Sequence, residues 1–300
     1  MNRISDNLRG ALLMVGAMSG FTVNDAFMKS VSSSLPLFQA IFLRGMLVVP
    51  AMILLCLVLG QLRLRHSPND WKLILIRSLG EIGGTFFFIS ALFNMPLANV
   101  SAILQALPLT VSLAAALVFR EPLGWRRMAA ILIGFCGVLL IVRPGGADFN
   151  VYSLYALGAV VSVTIRDLAA RRVSASVPSV FIALVAAVLV MVFAGAMSMG
   201  EGWAPITREA LWRLLGATGF IIAGYVCSVS AMRVGEISIV APFRYTSLIV
   251  ALILGYAMFG EIPKLLTVLG AIIVVATGLF TLYRETRISK LRASLIGRVR

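Results

Sequence analysis

The chain has 300 residues, of which 60% are hydrophobic and 13% charged, whereas a soluble domain carries about 25% charged residues. This composition excludes an ordinary water-soluble domain, and spans of about 20 residues each leave no room for a separate soluble catalytic domain. The net charge of +14 does not indicate nucleic acid binding, because the basic residues lie between and beyond apolar runs, as they do in the cytoplasmic loops of membrane proteins.

Ten apolar segments follow one another along the chain, each bounded by charges or turn residues. A helix satisfies its own backbone groups in hydrocarbon, and the segments are too long for barrel strands and lack their alternation. The sequence therefore predicts an all-α polytopic membrane protein with ten transmembrane helices. The first segment is long for a signal peptide core, and we interpret it as an uncleaved span. The segments cover residues 10–28, 36–60, 71–93, 97–119, 126–142, 151–170, 178–199, 209–231, 237–259 and 265–283.

The distribution of lysine and arginine predicts the orientation. With ten spans both termini share one side, and that side then holds 17 basic residues, against 5 on the other side and 4 within spans. The positive-inside rule places the richer side in the cytoplasm. We therefore expect a multi-pass protein of the bacterial inner membrane with both termini cytoplasmic. The basic tail 285–300 is compatible with an amphipathic helix on the membrane surface and equally with a frayed end.

No residue pattern indicates catalysis or metal binding. The three cysteines are widely spaced within apolar runs, and the single histidine, His66, lies in a polar loop. Neither a disulfide framework nor a zinc site is expected, and there is no phosphate-binding loop for ATP. We predict no enzymatic activity, no cofactor and no metal. The expected partners are a small-molecule substrate and the lipid bilayer, with proton coupling left open.

The two halves of the sequence repeat each other. The stretch from Ala91 to Glu121 matches the stretch from Ala231 to Glu261, and Asp25 matches Asp167 at nearly the same offset. Each half holds five helices, so the second half enters the membrane from the opposite side. Such inverted repeats are typical of alternating-access transporters. We predict a first repeat over 1–146, a second over 147–284 and the tail over 285–300.

The segments that follow the fourth and ninth spans carry a recognisable pattern. These are Phe-Arg-Glu-Pro at 119–122 and Phe-Gly-Glu-Ile-Pro at 259–263, each followed by glycines in the next span (Gly134 and Gly137; Gly270 and Gly278). With five plus five helices, the chain resembles the EamA-type transporters of the drug/metabolite transporter superfamily. The resemblance implies a secondary transporter of small metabolites with a central cavity, and amino-acid exporters of that superfamily are a reasonable analogue. Glu121 and Glu261 are expected to be structural.

Charges within the predicted spans are the best indicators of a site, because a charge in the bilayer usually faces a cavity or a partner. Arg77 and Glu81 share a helix face, and Glu81 could hold an ammonium group or proton, or only form an ion pair with Arg77. Arg244 follows Pro242 and could bind a substrate carboxylate or pair with Asp25 or Glu81. The intramembrane charges are Asp25, Arg44, Arg77, Glu81, Arg166, Asp167 and Arg244.

Polar residues within the spans complete the predicted binding site. A cavity with apolar walls and few polar groups suits an amphipathic solute such as a hydrophobic or aromatic amino acid. The predicted substrate-binding residues are Asn24, Asp25, Glu81, Thr85, Asn99, Gln105, Arg244 and Tyr245.

Two charge clusters are candidate gates. Asp25 and Lys29 lie near the outer end of the first span, and Asp167 and Arg171 near the inner end of the sixth. The inverted repeat places these clusters on opposite sides, so one could be formed while the other is broken. The alternative is that their side chains only reach toward the interface.

The leading hypothesis is therefore a transporter that works without ATP and exports amino acids. The alternatives are a channel, an exporter of another small metabolite or drug, and an intramembrane enzyme. A channel would be expected to show a filter-like segment, and an enzyme a reactive cluster near the interface. The sequence shows neither feature.

Overall fold

The computed structural model describes residues 3–62, 65–120, 124–145, 149–234 and 236–296. Regular structure in these ranges is helical. The helices are α1 (Arg3–Val31), α2 (Leu37–Val58), α3 (Pro68–Asn94), α4 (Leu97–Leu104), α5 (Leu107–Phe119), α6 (Trp125–Val142), α7 (Tyr152–Ala170), α8 (Ser179–Ser198), α9 (Arg208–Val234), α10 (Ile237–Val240), α11 (Thr246–Phe259) and α12 (Leu265–Ile296).

Ten segments among the described residues are long and apolar enough to cross a membrane, so the predicted fold class and number of spans are confirmed. The largest difference from the predicted bounds lies in the last helix, which continues past the span into the basic tail as far as Ile296. Residues 284–296 contain no glycine or proline, and nothing in the local sequence therefore interrupts the helix.

The fourth and ninth spans are interrupted at corresponding places. The fourth consists of α4 and α5, with a turn at Gln105 and Ala106 between them, and the ninth consists of α10, a 3-10 segment (Ala241–Tyr245) and α11. Pro108 and Pro242 are the second residues of α5 and of the 3-10 segment, and in the first turn of a helix the missing amide proton is tolerated. Although the prolines are not repeat equivalents, Gln105 and Tyr245 occupy equivalent positions when the two halves are aligned.

The helices pack in pairs that follow the inverted repeat. Helix α1 packs on α9 as α3 packs on α7, while α2 contacts its equivalent α8, and α6 contacts α12. Glycines permit the closest approaches: a Cβ atom at Gly80 would lie 2.9 Å from the backbone of both Ser162 and Arg166. Helices α6 and α12 approach as closely, because a Cβ atom at Gly270 would likewise collide with the carbonyl oxygen of Gly137. The four central helices α2, α3, α8 and α9 therefore surround the middle of the molecule.

Candidate functional site

A cavity of about 70 Å³ lies between α2, α3, α8 and α9. Most of its wall is apolar, and its polar lining comes from Arg44, Glu81, Thr85 and Tyr225. Because all four helices are membrane spans, these polar groups face the cavity within the hydrocarbon layer. A few polar groups in a mostly apolar wall are typical of a small-molecule site.

The cavity follows the inverted repeat position by position. When the two halves are aligned, Arg44 on α2 corresponds to Ala186 on α8, and both line the cavity. Glu81 on α3 corresponds in the same way to Ile221 on α9, and both line it as well. The two repeats thus build one symmetric wall, and the first repeat supplies its charges.

Glu81 is held by two arginines. Its carboxylate lies 3.6 Å from Arg77 Nη1, one turn away on α3, and 3.4 Å from Arg166 Nη1 on α7. Arg166 in turn donates a hydrogen bond from Nε to Asp167 Oδ1 at 2.9 Å. The sequence left open whether Glu81 faces a cavity or forms an ion pair, and the structure shows that it does both.

Arg44 has a different environment. Its guanidinium group interacts electrostatically with Asp25, Tyr225 and Glu81, but no carboxylate among the described residues lies within the 4 Å of an ion pair. Sequence reasoning counted Arg44 among the intramembrane charges but did not assign it to the site. The sequence did contain a signal for Arg44. Its repeat equivalent is Ala186, so helix packing at this position does not require a charged side chain, and the arginine is better explained by a role in the site.

The polar residues of α1 lie beside this cavity. Asn24 donates a hydrogen bond from Nδ2 to Asp25 Oδ1 at 2.9 Å, which mirrors the contact between Arg166 and Asp167 at the equivalent positions of α7. The carboxylate of Asp25 interacts electrostatically with the guanidinium group of Arg44. Asn24 and Asp25 therefore belong to the shell around the cavity, while Thr85 lines it directly.

Three predicted site residues lie elsewhere. Gln105 donates a hydrogen bond from Nε2 to Ser247 Oγ at 2.8 Å and so joins the interruptions of the fourth and ninth spans. The side chain of Tyr245 packs against Gly278. Asn99 has a buried Oδ1 atom with no hydrogen-bond partner among the described residues. None of the three is part of the cavity lining.

Arg244 lies apart from the cavity. It lies in the exposed part of the 3-10 segment, outside the cavity lining, and within the described residues it forms no ion pair with Asp25 or Glu81. A 3-10 segment with Pro242 replaces the regular helix here, so the spacing of a regular helix does not apply to this side chain.

The charges near the helix ends have partners in other parts of the chain. Lys29 pairs with Glu261 at 2.7 Å rather than with Asp25, and it also donates to the Met95 carbonyl oxygen. Glu261 Oε2 accepts a hydrogen bond from the backbone nitrogen of Leu97 at 2.7 Å, which fits its expected structural role. Its repeat equivalent Glu121 lies outside the described residues.

The residues of the second predicted gate cluster have separate environments. Asp167 pairs with Arg166, while Arg171 caps the end of α7 through its backbone and is exposed.

Aromatic rings lie one helical turn beyond the cavity, toward the end where α2 begins and α8 ends. Phe38 is one turn from the cavity residue Ile41, and Phe193 is one turn from Val190. The ring of Phe38 stacks on Phe86 at 5.7 Å and meets Phe193 edge-on at 6.0 Å. The ring contacts continue through Phe87, Tyr155 and Tyr152.

No group of three or more histidine, cysteine, aspartate or glutamate side chains in the described part of the chain could hold a metal ion. The site consists of one ion-paired carboxylate, one guanidinium group without an ion pair, two hydroxyl groups and apolar walls. Such an arrangement is suited to reversible binding of a polar solute.

Comparison with known proteins agrees with this description. The model of the EamA-like transporter family matches residues 8–143 and 150–283. The chain is 24% identical over 267 residues to the S-adenosylmethionine uptake transporter of Rickettsia prowazekii, covering 89% of this chain and 90% of the relative. It is 25% identical over 287 residues to the riboflavin transporter of Vibrio cholerae, with 94% and 96% covered.

A third relative is the pseudopaline exporter CntI of Pseudomonas aeruginosa, 28% identical over 277 residues, with 89% of this chain and 93% of the relative covered. One crystal structure shares the fold with a TM-score of 0.59 at 21% identity, covering 89% of this chain and 97% of the other. The family match covers both repeats and nearly the whole chain. The protein therefore belongs to the EamA-like transporter family and is a membrane transporter of small molecules, not an enzyme.

Proposed function

We propose that the protein is a secondary transporter that exports amino acids, or metabolites that carry an amino-acid group, by alternating access. The observation that carries the proposal is the pair Arg44 and Glu81 on the wall of one cavity. A zwitterion presents a carboxylate and an ammonium group a short distance apart. A guanidinium group is suited to bind the first of these and a carboxylate the second.

The state of the two charges supports different roles for them. Glu81 already has two arginine partners, so its position is fixed before a substrate arrives. Arg44 forms no ion pair with a described carboxylate and is available for an anionic group. One relative is named as a transporter of S-adenosylmethionine, which is by its name a methionine derivative. Its amino-acid group is the part that Arg44 and Glu81 would recognise.

The aromatic cluster beyond the cavity favours substrates with apolar or aromatic side chains. The rings of Phe38, Phe86 and Phe193 come from α2, α3 and α8, three of the helices that form the cavity wall. A substrate held by its zwitterionic end at Arg44 and Glu81 would extend its side chain toward them. Offset stacking or edge contacts of such rings contribute about 0.5–1.5 kcal/mol each.

Alternating access follows from the size of the cavity and from the contacts that close it. Ligand pockets usually measure about 300–1,000 Å³, so the helices around a cavity of about 70 Å³ must separate to admit a metabolite. Lys29 and Glu261 join the repeats at the outer end, whereas Asp70 accepts from the backbone nitrogen of Ser174 at 3.0 Å at the other end. Opening one contact while the other holds would expose the cavity to one side at a time.

The clusters predicted as gates take part in this scheme with the partners that the structure gives them. Lys29 contributes to gating by its ion pair with Glu261 at the outer end, and Asp25 by its electrostatic interaction with Arg44 beside the cavity. Asp167 acts through Arg166 and so reaches Glu81, while Arg171 stays at the surface. We place both termini in the cytoplasm of a bacterium, on the side with more basic residues.

The test is transport by the purified protein in liposomes. Vesicles preloaded with one unlabelled amino acid are expected to take up the same labelled amino acid by counterflow, with saturation, and an aromatic or aliphatic one best. An imposed pH gradient then shows whether protons drive the flux. Glu81→Gln is expected to lower counterflow strongly, while Glu209→Gln, at an exposed carboxylate paired with Arg213, retains it.

Three outcomes would contradict the proposal. Conductance that does not saturate and shows no counterflow would identify a channel. Saturable transport of riboflavin or another metabolite without an amino-acid group, with no flux of any amino acid, would keep the transporter and exclude the proposed substrate class. Labelled substrate that accumulates only on the cytoplasmic side of cells would indicate uptake instead of export.

A further inference from the structure

Two contacts between a cation and an aromatic ring lie at opposite ends of the helix bundle. Away from the termini, Lys29 Nζ near the end of α1 is 5.3 Å from the ring centroid of Phe259 at the end of α11. On the side of the termini, Arg172 Cζ just after α7 is 4.3 Å from the ring centroid of Phe119 at the end of α5. Each contact joins the first repeat to the second at one face of the membrane.

The inverted repeat relates the two contacts. Phe119 and Phe259 occupy equivalent positions when the two halves are aligned, and the equivalent of Lys29 is Arg171. Helix α7 ends one residue before Arg171, whereas α1 continues for two residues beyond Lys29, so the helical geometry that positions the lysine is not kept in the second repeat. The next residue, Arg172, lies over the ring instead.

A second contact holds each cation in place beside its ring. Lys29 forms an ion pair with Glu261 at 2.7 Å and donates to a backbone carbonyl oxygen of the turn between α3 and α4. Arg172 lies two residues before Ser174, whose backbone nitrogen donates to Asp70 at the start of α3 at 3.0 Å. A contact between a cation and a ring at an exposed site is weak, so it can break and form again in each transport cycle.

We infer that Arg172 and Phe119 form the inner gate of the transporter, on the side of the termini, as Lys29 and Phe259 form the outer gate. The inference rests on the alternating access proposed above, and it assigns a residue pair to each end. With both contacts formed, the cavity of about 70 Å³ is closed on both sides. Breaking one contact while the other holds opens the cavity to one side only.

The test measures from which side the cavity can be reached, without any substrate. The native cysteines Cys56, Cys136 and Cys227 are replaced by alanine, and Ala187→Cys places one thiol on the cavity wall. Right-side-out and inside-out vesicles from expressing cells are then treated with a membrane-impermeant maleimide. The quantity compared is the labelling rate from the side of the termini divided by the rate from the opposite side.

Variants of the two gates should change this ratio in opposite directions. Arg172→Gln is expected to raise it about two- to fivefold, the population shift that corresponds to one exposed contact of this kind. Phe119→Leu removes the ring but keeps an apolar side chain, and it should raise the ratio by a similar factor. The double variant should shift the ratio no further than either single variant, because both remove the same contact. Lys29→Gln should lower the ratio.

Arg171→Gln is the matched control. It removes an exposed arginine beside Arg172 that lies over no aromatic ring in the described part of the chain, and it should leave the ratio unchanged. Equal shifts in the two arginine variants would assign the effect to surface charge and overturn the inference. Shifts of the same sign in Arg172→Gln and Lys29→Gln would overturn it as well.

The same measurement separates the gates from the proposed substrate. Opposite shifts in a protein that transports no amino acid would support the gates and contradict only the substrate class. Labelling from one side alone, in the parent protein and in every variant, would overturn both the gates and alternating access.

Discussion

The two repeats contribute the same positions to the central cavity but different chemistry. From the first repeat come Arg44 and Glu81, and from the second the equivalent residues Ala186 and Ile221. The helix pairs behind these walls differ in the same way. Helices α3 and α7 are joined by the ion pair of Glu81 and Arg166, whereas α1 and α9 are joined by the edge contact of Phe21 and Tyr225 at 5.5 Å.

This difference distinguishes the features that both repeats share, which serve helix packing, from those found in one repeat, which would serve substrate binding. Both helix pairs require close backbone approach, and both have glycine at it, Gly80 on α3 and Gly224 on α9. The zwitterionic substrate proposed above has one carboxylate and one ammonium group, however, so it would require only one charged wall. A second charged wall would add the free-energy cost of more buried charges. Among the described lining residues, the first repeat alone supplies the charges, whereas each repeat supplies one hydroxyl group.

The strongest test of whether the two cavity walls differ in function is to substitute Glu81 and its repeat equivalent Ile221. Glu81→Gln leaves Arg77 and Arg166 without a carboxylate between them, and losing one member of such a pair costs about 3–5 kcal/mol. The substitution also removes the proposed charge-assisted contact with the ammonium group, worth about 1.5–3 kcal/mol, so we expect the transport rate in liposomes to fall about 10- to 100-fold. Ile221→Val, at the equivalent position, should change the rate less than about threefold, a conservative swap of apolar residues. Similar losses in both variants would show that the walls are not specialised.

The role of Arg44 can be separated from general damage by the choice of substrate. Arg44→Gln removes a charge-assisted contact worth about 1.5–3 kcal/mol, so the half-saturation concentration for a free amino acid should rise about 10- to 100-fold. The methyl ester of the same amino acid lacks the carboxylate, and the variant should transport it as the wild type does. An equal loss for ester and acid would argue against a carboxylate contact. Ala186→Ser provides the control at the equivalent position.

The glycine contacts test whether the two helix pairs tolerate the same change. Alanine at Gly80 would bring a Cβ atom within 2.9 Å of backbone atoms of α7, which cannot rotate away, whereas at Gly224 the nearest atoms at 2.7 Å belong to the ring of Phe21. Overpacking costs about 1–3 kcal/mol, and we expect Gly80→Ala to lower the melting temperature more than Gly224→Ala. Gly219→Ala, with no atom within 4 Å, should be neutral or slightly stabilising. Equal melting temperatures for all three would contradict the close packing.

The smallest expected effect concerns the two hydroxyl groups that occupy equivalent positions, Thr85 and Tyr225. Both line the cavity, and a single neutral hydrogen bond contributes about 0.5–1.5 kcal/mol. Tyr225→Phe should therefore raise the half-saturation concentration about two- to tenfold without changing the maximal rate. Thr85→Val should act in the same direction. A lowered maximal rate with unchanged half-saturation would assign the hydroxyl groups to the conformational change instead of to binding.

Much of the molecule was predictable because its causes are local. The number of spans follows from hydropathy, which is a property of each segment. The repeat could be read from a nearly constant offset between matching residues, and the same offset relates the residues that face each other across the cavity wall. The glycines quoted for the family resemblance, such as Gly137 and Gly270, do lie where two helices approach most closely.

The sequence by itself determined which charges must be buried in the membrane, but the tertiary structure decided which of them meet. Arg44 lines the cavity and Arg244 does not, although both lie in apolar runs. Lys29 meets Glu261, which lies in the other half of the chain, instead of Asp25 one turn away. Such contacts depend on how each helix is rotated about its axis and on which helices pack together. Both are set by the packing of the whole bundle and not by any single segment.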